Sequence, residues 1–127
     1  MKKLVLGAFL TVFSLTTFAQ EKKMMEKVKT VALEQTNKEF TQKSITLSEG
    51  TYVFEIANND VDHEVGFVLI KKGADASKPE NHIKTAYVTT PVKTNSKSKS
   101  QAVKLTKGEY TYFCPLNQTP QYTLVVE

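Results

Sequence analysis

Across much of the chain apolar and polar residues alternate with a period of two, the pattern of strands that bury one face. The clearest case is Thr51 to Ala57, where Tyr52, Phe54 and Ile56 share one face and Thr51, Val53 and Glu55 the other. Just before it, Ile45 and Leu47 alternate with Ser44, Thr46 and Ser48, and Glu49-Gly50 supplies a turn, so the two runs read as a hairpin. Val28, Val31 and Leu33 with Thr30 favour an extended first strand that starts near Met24 and runs towards Thr36. Asn58-Asn59-Asp60 ends the Thr51 strand, because these side chains tolerate turn geometry and bond nearby backbone.

Glu64 to Ile70 carries Val65, Phe67 and Leu69 on one face and Val68 and Ile70 on the other. A strand apolar on both faces belongs in the middle of a structure. The alternation fails from Lys71 to Lys84, where Ser77-Lys78-Pro79-Glu80 has the form of a capping box with proline in the first turn, predicting one short helix that carries His82. Thr85 to Thr90, Gln101 to Leu105, Tyr110 to Cys114 and Tyr122 to Val126 complete the series. About seven or eight short strands predict an all-β fold, a β-sandwich with one short helix in a loop.

The amino terminus follows a different rule. Met1-Lys2-Lys3 is a short basic start, Leu4 to Ala19 is apolar or hydroxylated, and Thr17-Phe18-Ala19 offers small residues at a cleavage site. These are the parts of an export signal spanning residues 1–19, leaving residues 20–127 as one mature domain. Nothing else approaches the roughly 20 apolar residues of a membrane helix. The expected location is therefore periplasmic or secreted, with no membrane span after cleavage.

Charge narrows the classes of partner. All 17 basic side chains are lysines, set against 13 acids, and loss of Lys2 and Lys3 lowers the net charge from +4 to +2. The absence of arginine, the preferred side chain for forked contacts to phosphate and guanine, argues against nucleic-acid binding. The lysines between Lys93 and Lys107 sit in a Ser/Thr/Asn-rich stretch and read as a solvated loop.

Candidate chemistry concentrates on Cys114, the single cysteine, which ends the aromatic run Tyr110-Thr111-Tyr112-Phe113. In an oxidising compartment a lone cysteine is a buried structural thiol, a thiol held by metal, or one that pairs with another molecule. His63 lies where the Asn58 to Asp62 turn feeds a core strand, and in a sandwich that strand end can meet the end bearing Cys114. Neither paired carboxylates nor a phosphate loop nor a third orienting group accompanies them, so an enzyme is not expected.

The segments Leu47-Ser48-Glu49-Gly50-Thr51-Tyr52-Val53-Phe54, Asn58-Asn59-Asp60-Val61-Asp62-His63 and Gly108-Glu109-Tyr110-Thr111-Tyr112-Phe113-Cys114-Pro115 resemble the cupredoxin family. The resemblance implies a Greek-key sandwich holding one copper ion, with electron transfer as the usual activity and a redox or copper-handling protein as partner. It places His63 at the early histidine and Cys114 at the thiolate ligand. The loop after Cys114 departs from the family pattern: Asn117 stands in the slot of the second histidine and Tyr122 in that of the methionine. An amide oxygen and a neutral phenol are weak ligands for copper, so an ordinary blue-copper centre is not expected. Three readings stay open. One is a copper protein that uses His63 and Cys114, with Asn117, Gln118, Gln121 or His82 as weak or accessory ligands. Another is a metal-free interaction module with the same fold. The third is thiol redox chemistry at Cys114.

Overall fold

The structure, a computed structural model, describes residues 28–127. The expected export signal lies outside that range. Eight strands form in chain order: β1 (Val28–Thr36), β2 (Glu39–Phe40), β3 (Ser44–Leu47), β4 (Gly50–Asn58), β5 (Val68–Lys71), β6 (Lys97–Leu105), β7 (Gly108–Phe113) and β8 (Tyr122–Val126). They make two four-stranded sheets, ordered β2-β1-β4-β6 and β3-β8-β7-β5. The fold is the expected all-β sandwich. No helix among the described residues is long and apolar enough to cross a membrane.

The alternation in β4 is realised as written: Tyr52, Phe54, Ile56 and Asn58 are buried and the residues between them are half-buried. β1 runs parallel to β4, with Val31 opposite Phe54 and Leu33 opposite Ile56, so the inward faces of both strands coincide. β6 runs antiparallel on the other side, and its register slips between Val53 and Glu55. The slip takes Phe54 out of the regular ladder, and its N–H donates instead to Ser100 Oγ at 2.9 Å.

The predicted hairpin of the Ile45 strand with β4 does not form. β3 pairs in parallel with β8, placing Ile45 opposite Leu124, and the Glu49-Gly50 turn carries the chain from one sheet to the other. Tyr52 fastens this corner by donating its hydroxyl to the Ser48 carbonyl at 2.7 Å. Alternation reports which face is buried, not which strand lies alongside.

Three further expectations are corrected. The strand expected over Glu64 to Ile70 begins only at Val68, because Val65 exchanges hydrogen bonds with Val92 and Gly66 uses its N–H and C=O outside any ladder. Thr85 to Thr90 is not a strand: a 3₁₀ turn covers Lys84–Ala86 and a single bridge joins Val88 to Ser100. The expected short helix is one 3₁₀ turn, Pro79–Asn81. Ser77 does not cap it, since its amide and hydroxyl both bond Asp75 Oδ1, at 3.0 and 2.7 Å.

Phe40, Phe54, Ile56, Leu69, Tyr112 and Leu124 are fully buried in the main core between the sheets. Val68, Ile70 and Phe113 make a second cluster on the outer face of β5 and β7, covered by Ala74, Ala76 and Tyr87 of the long loop. That loop explains why β5 is apolar on both faces.

Candidate metal centre

One end of the sandwich gathers the C-terminal ends of β1, β4 and β7. Asn58, the buried last residue of β4, organises the turn that follows. Its Nδ2 donates to the carbonyls of His63 (2.9 Å) and Val92 (3.1 Å), and its Oδ1 accepts the Val61 N–H at 2.9 Å. Asp60 takes a left-handed conformation with φ 64°, which asparagine and aspartate accept more readily than most residues. Thr94 adds a bond from its hydroxyl to the Val61 carbonyl at 2.6 Å.

His63 projects from this turn, its side chain about half exposed at 47%. Its Nδ1 lies 2.9 Å from the Glu64 carbonyl. A carbonyl only accepts, so Nδ1 carries the proton in the neutral ring and Nε2 presents a lone pair. The nearest acidic oxygen, Asp62 Oδ1, is 4.0 Å from Nε2, beyond hydrogen-bond reach. This is how a metal-binding imidazole is commonly arranged, with one nitrogen anchored by a carbonyl and the other open.

Cys114 has no exposed surface. Its backbone closes a tight loop with Thr119: the Cys114 N–H donates to Thr119 Oγ1 at 2.8 Å and the Thr119 N–H to the Cys114 carbonyl at 3.2 Å. Gln118 takes φ 52° to complete the bend. The sulfur accepts the Gly66 N–H at 3.2 Å, and Gly66 follows His63 by three residues. The loop bearing the imidazole and the loop bearing the thiol therefore touch. An N–H aimed at sulfur strengthens when the sulfur is a thiolate.

The accessory positions are arranged differently. Asn117 is buried, and its side chain points back to β1 and the turn after it: Nδ2 donates to Gln35 Oε1 (3.1 Å) and the Thr36 carbonyl (2.8 Å), and Oδ1 accepts the Lys38 N–H (2.9 Å). Tyr122 turns its hydroxyl to the Phe40 N–H at 3.3 Å and packs against the rings of Phe40 and Tyr112. His82 bonds Tyr87 Oη and the Ala76 carbonyl through its two nitrogens. It lies against Phe113, in the cluster on the far side of β7 from Cys114. Gln118 and Gln121 are exposed. Among the described residues no three His, Cys, Asp or Glu side chains gather as a metal site.

Sequence reasoning passed over Gln35 and Gly66. Gln35 falls in the inward register Val31-Leu33-Gln35 and is fully buried, and a polar residue on an apolar face is a readable signal. Gly66 carried none. Beside the Cys114 loop, Val65, Phe67, Tyr87, Pro91, Pro115 and Leu116 line an apolar groove of about 270 Å³, with Leu116 left 56% exposed.

Residues 6–126 match the family model of the cupredoxin-like domain. The chain belongs to the cupredoxin-like family. Solved structures agree on the fold. Auracyanin A, described as a blue copper protein from the green thermophilic photosynthetic bacterium Chloroflexus aurantiacus, is 19% identical with a TM-score of 0.63, over 79% of this chain and 99% of its own. A reduced auracyanin from Roseiflexus castenholzii is 15% identical with a TM-score of 0.58, over 77% and 96%. Amicyanin from Paracoccus versutus is 13% identical with a TM-score of 0.52, over 77% and 81%. No curated protein matches.

Within this cupredoxin fold the donor set does not fit a four-ligand blue-copper centre, because the amide of Asn117 is spent on Gln35, Thr36 and Lys38 and the phenol of Tyr122 on Phe40. A thiol and an imidazole with a free Nε2 remain. These donor types suit a soft ion of low coordination number.

Proposed function

We propose that the protein is an exported cupredoxin that binds copper, chiefly as Cu(I), through Cys114 Sγ and His63 Nε2. The observation that carries this reading is the Gly66 N–H on the Cys114 sulfur, which ties the thiol to the segment leaving His63. Copper bound there would supply one-electron exchange, or a transferable ion. The chain's own part is to hold the thiol dry beneath the Cys114–Thr119 loop, to anchor Nδ1 of the imidazole on the Glu64 carbonyl, and to leave Nε2 open. Gln118, Gln121, water or a side chain of a partner completes the coordination. His82 is left out, because it would have to surrender two hydrogen bonds and cross β7.

The partner in this reading is a redox or copper-handling protein of the periplasm or exterior, seated on the apolar groove around Leu116. Catalysis is not part of this proposal, since Cys114 has no exposed surface for a substrate to reach. A second reading, a metal-free interaction module, is favoured by one specific observation, the full engagement of Asn117 where the family pattern has a ligand.

Copper titration of the purified protein under reducing conditions separates the two readings. The copper reading expects tight uptake that is lost in Cys114→Ser and in His63→Ala. The module reading expects no difference among the three proteins and unchanged partners in a pull-down with Cys114→Ala.

A further inference from the structure

We propose that the buried amide pair Gln35–Asn117 is a positioning device for the Cys114 sulfur, holding Gly66 by its carbonyl so that its N–H, in the preceding peptide, stays aimed at Sγ. The meaning of this for metal rests on the copper reading, but the geometry belongs to the metal-free chain.

Gln35 has no exposed surface and occupies a place on β1 that its register would otherwise give to an aliphatic side chain. Its Nε2 donates to the Gly66 carbonyl at 2.6 Å, and its Oε1 accepts Asn117 Nδ2 at 3.1 Å. Gly66 is thus held on both of its peptides: Gln35 takes its carbonyl, shared with Phe67, and the Cys114 sulfur takes its N–H, in the peptide whose Val65 carbonyl accepts the Val92 N–H. Asn117 is in turn fixed by Thr36 and Lys38. The chain of bonds runs from β1 through both loops of the site and back, with every buried polar side-chain atom among the described residues partnered.

A buried polar network that is fully satisfied fixes one arrangement where apolar packing would allow several. Here the network fixes the Gly66 carbonyl and so limits the backbone rotation at Gly66 that would carry its N–H away from the sulfur. In the family pattern the position of Asn117 bears a histidine ligand, whereas in this chain it bears the inner half of the brace. The sulfur is therefore oriented by protein alone, before any ion arrives.

The experiment uses metal-free protein and three variants. Gln35→Met removes both amide bonds at nearly constant volume. Leu105→Val, at the opposite end of β6, serves as a control that loosens the core without touching the brace. Two rates are read under native conditions: hydrogen exchange of the Gly66 amide and alkylation of Cys114 by iodoacetamide. Gln35→Met should raise both by about tenfold or more over the Leu105→Val control at matched stability, reporting local opening rather than global loss.

Asn117→Asp keeps an acceptor for Lys38 but loses both donors, and should move the same rates in the same direction; it carries the test if Gln35→Met folds poorly. Rates in these variants equal to those of the stability-matched control would overturn the proposal. Failure of wild type to bind copper alongside accelerated rates in Gln35→Met would leave the brace standing and remove only the copper reading.

Discussion

Asn58 and His63 are joined by a single bond, from the Asn58 side-chain amide to the His63 carbonyl at 2.9 Å. It places the candidate ligand turn under the control of a buried residue at the end of a core strand. The same side chain serves Val61 and Val92, so Asn58→Ala removes three bonds and takes this partner from the His63 carbonyl and the Val61 N–H, while the Val92 carbonyl keeps the Val65 N–H. Urea unfolding should show a loss of about 2–4 kcal/mol. Copper affinity should fall in the same variant, because the His63 turn loses its anchor.

Tyr112 gives the fold an alkaline limit. Burial chiefly, with the neighbouring Tyr122 phenol second, pushes its hydroxyl up to about 12 from an ordinary value of 10.0. The phenol donates to the Gln42 carbonyl at 2.5 Å, a bond that exists only while it is protonated. Between those two values the unfolded chain gives up the proton first and binds fewer protons than the folded one, so stability falls as pH rises. The contribution is fully present below pH 10 and lost as the pH climbs through about 12. On the order of 1–3 kcal/mol is at stake. Urea midpoints taken at stepped pH should decline less steeply above pH 10 for Tyr112→Phe than for wild type, whatever the offset between the two at neutral pH.

Restoring the family ligands should have two opposite effects. Asn117→His with Tyr122→Met supplies the missing imidazole and thioether, and Cu(II) should then give an intense blue thiolate-to-copper band. The same graft abandons Gln35, Thr36 and Lys38, lowering stability by about 2–4 kcal/mol. A colourless graft that is folded and copper-loaded would show that the Cys114–Thr119 loop does not take the family geometry.

The sandwich was legible because large apolar residues recur at every second position, Tyr52, Phe54 and Ile56 in β4, Tyr110 and Tyr112 in β7, and Tyr122, Leu124 and Val126 in β8. Partner choice was not legible. Ile45 and Leu47 show the same alternation whether their strand lies beside β4 or β8, and the parallel pairing with β8 depends on a corner turn that local pattern does not encode. The strand over Thr85 to Thr90 failed for a related reason: Val88 and Thr90 have strand composition, but the loop that covers Phe113 holds them off the sheet except at one bridge.

At the site, Cys114 directly follows the end of β7 as expected, whereas His63 lies in the loop between β4 and β5, because β5 begins only at Val68. The roles of Gln35 and Gly66 were not legible, since a hydrogen bond from a glycine amide leaves no mark in composition. Asn117 was read as a weakened ligand, and the structure gives it a different occupation, facing β1.

The central claim is that a thiol and an imidazole on adjoining loops hold copper. Metal analysis of the protein purified from its own compartment, run beside Cys114→Ser, tests it most directly. The account predicts about one copper per wild-type chain, from the single Cys114 site, and none in the variant. Equal copper content in the two proteins would contradict it.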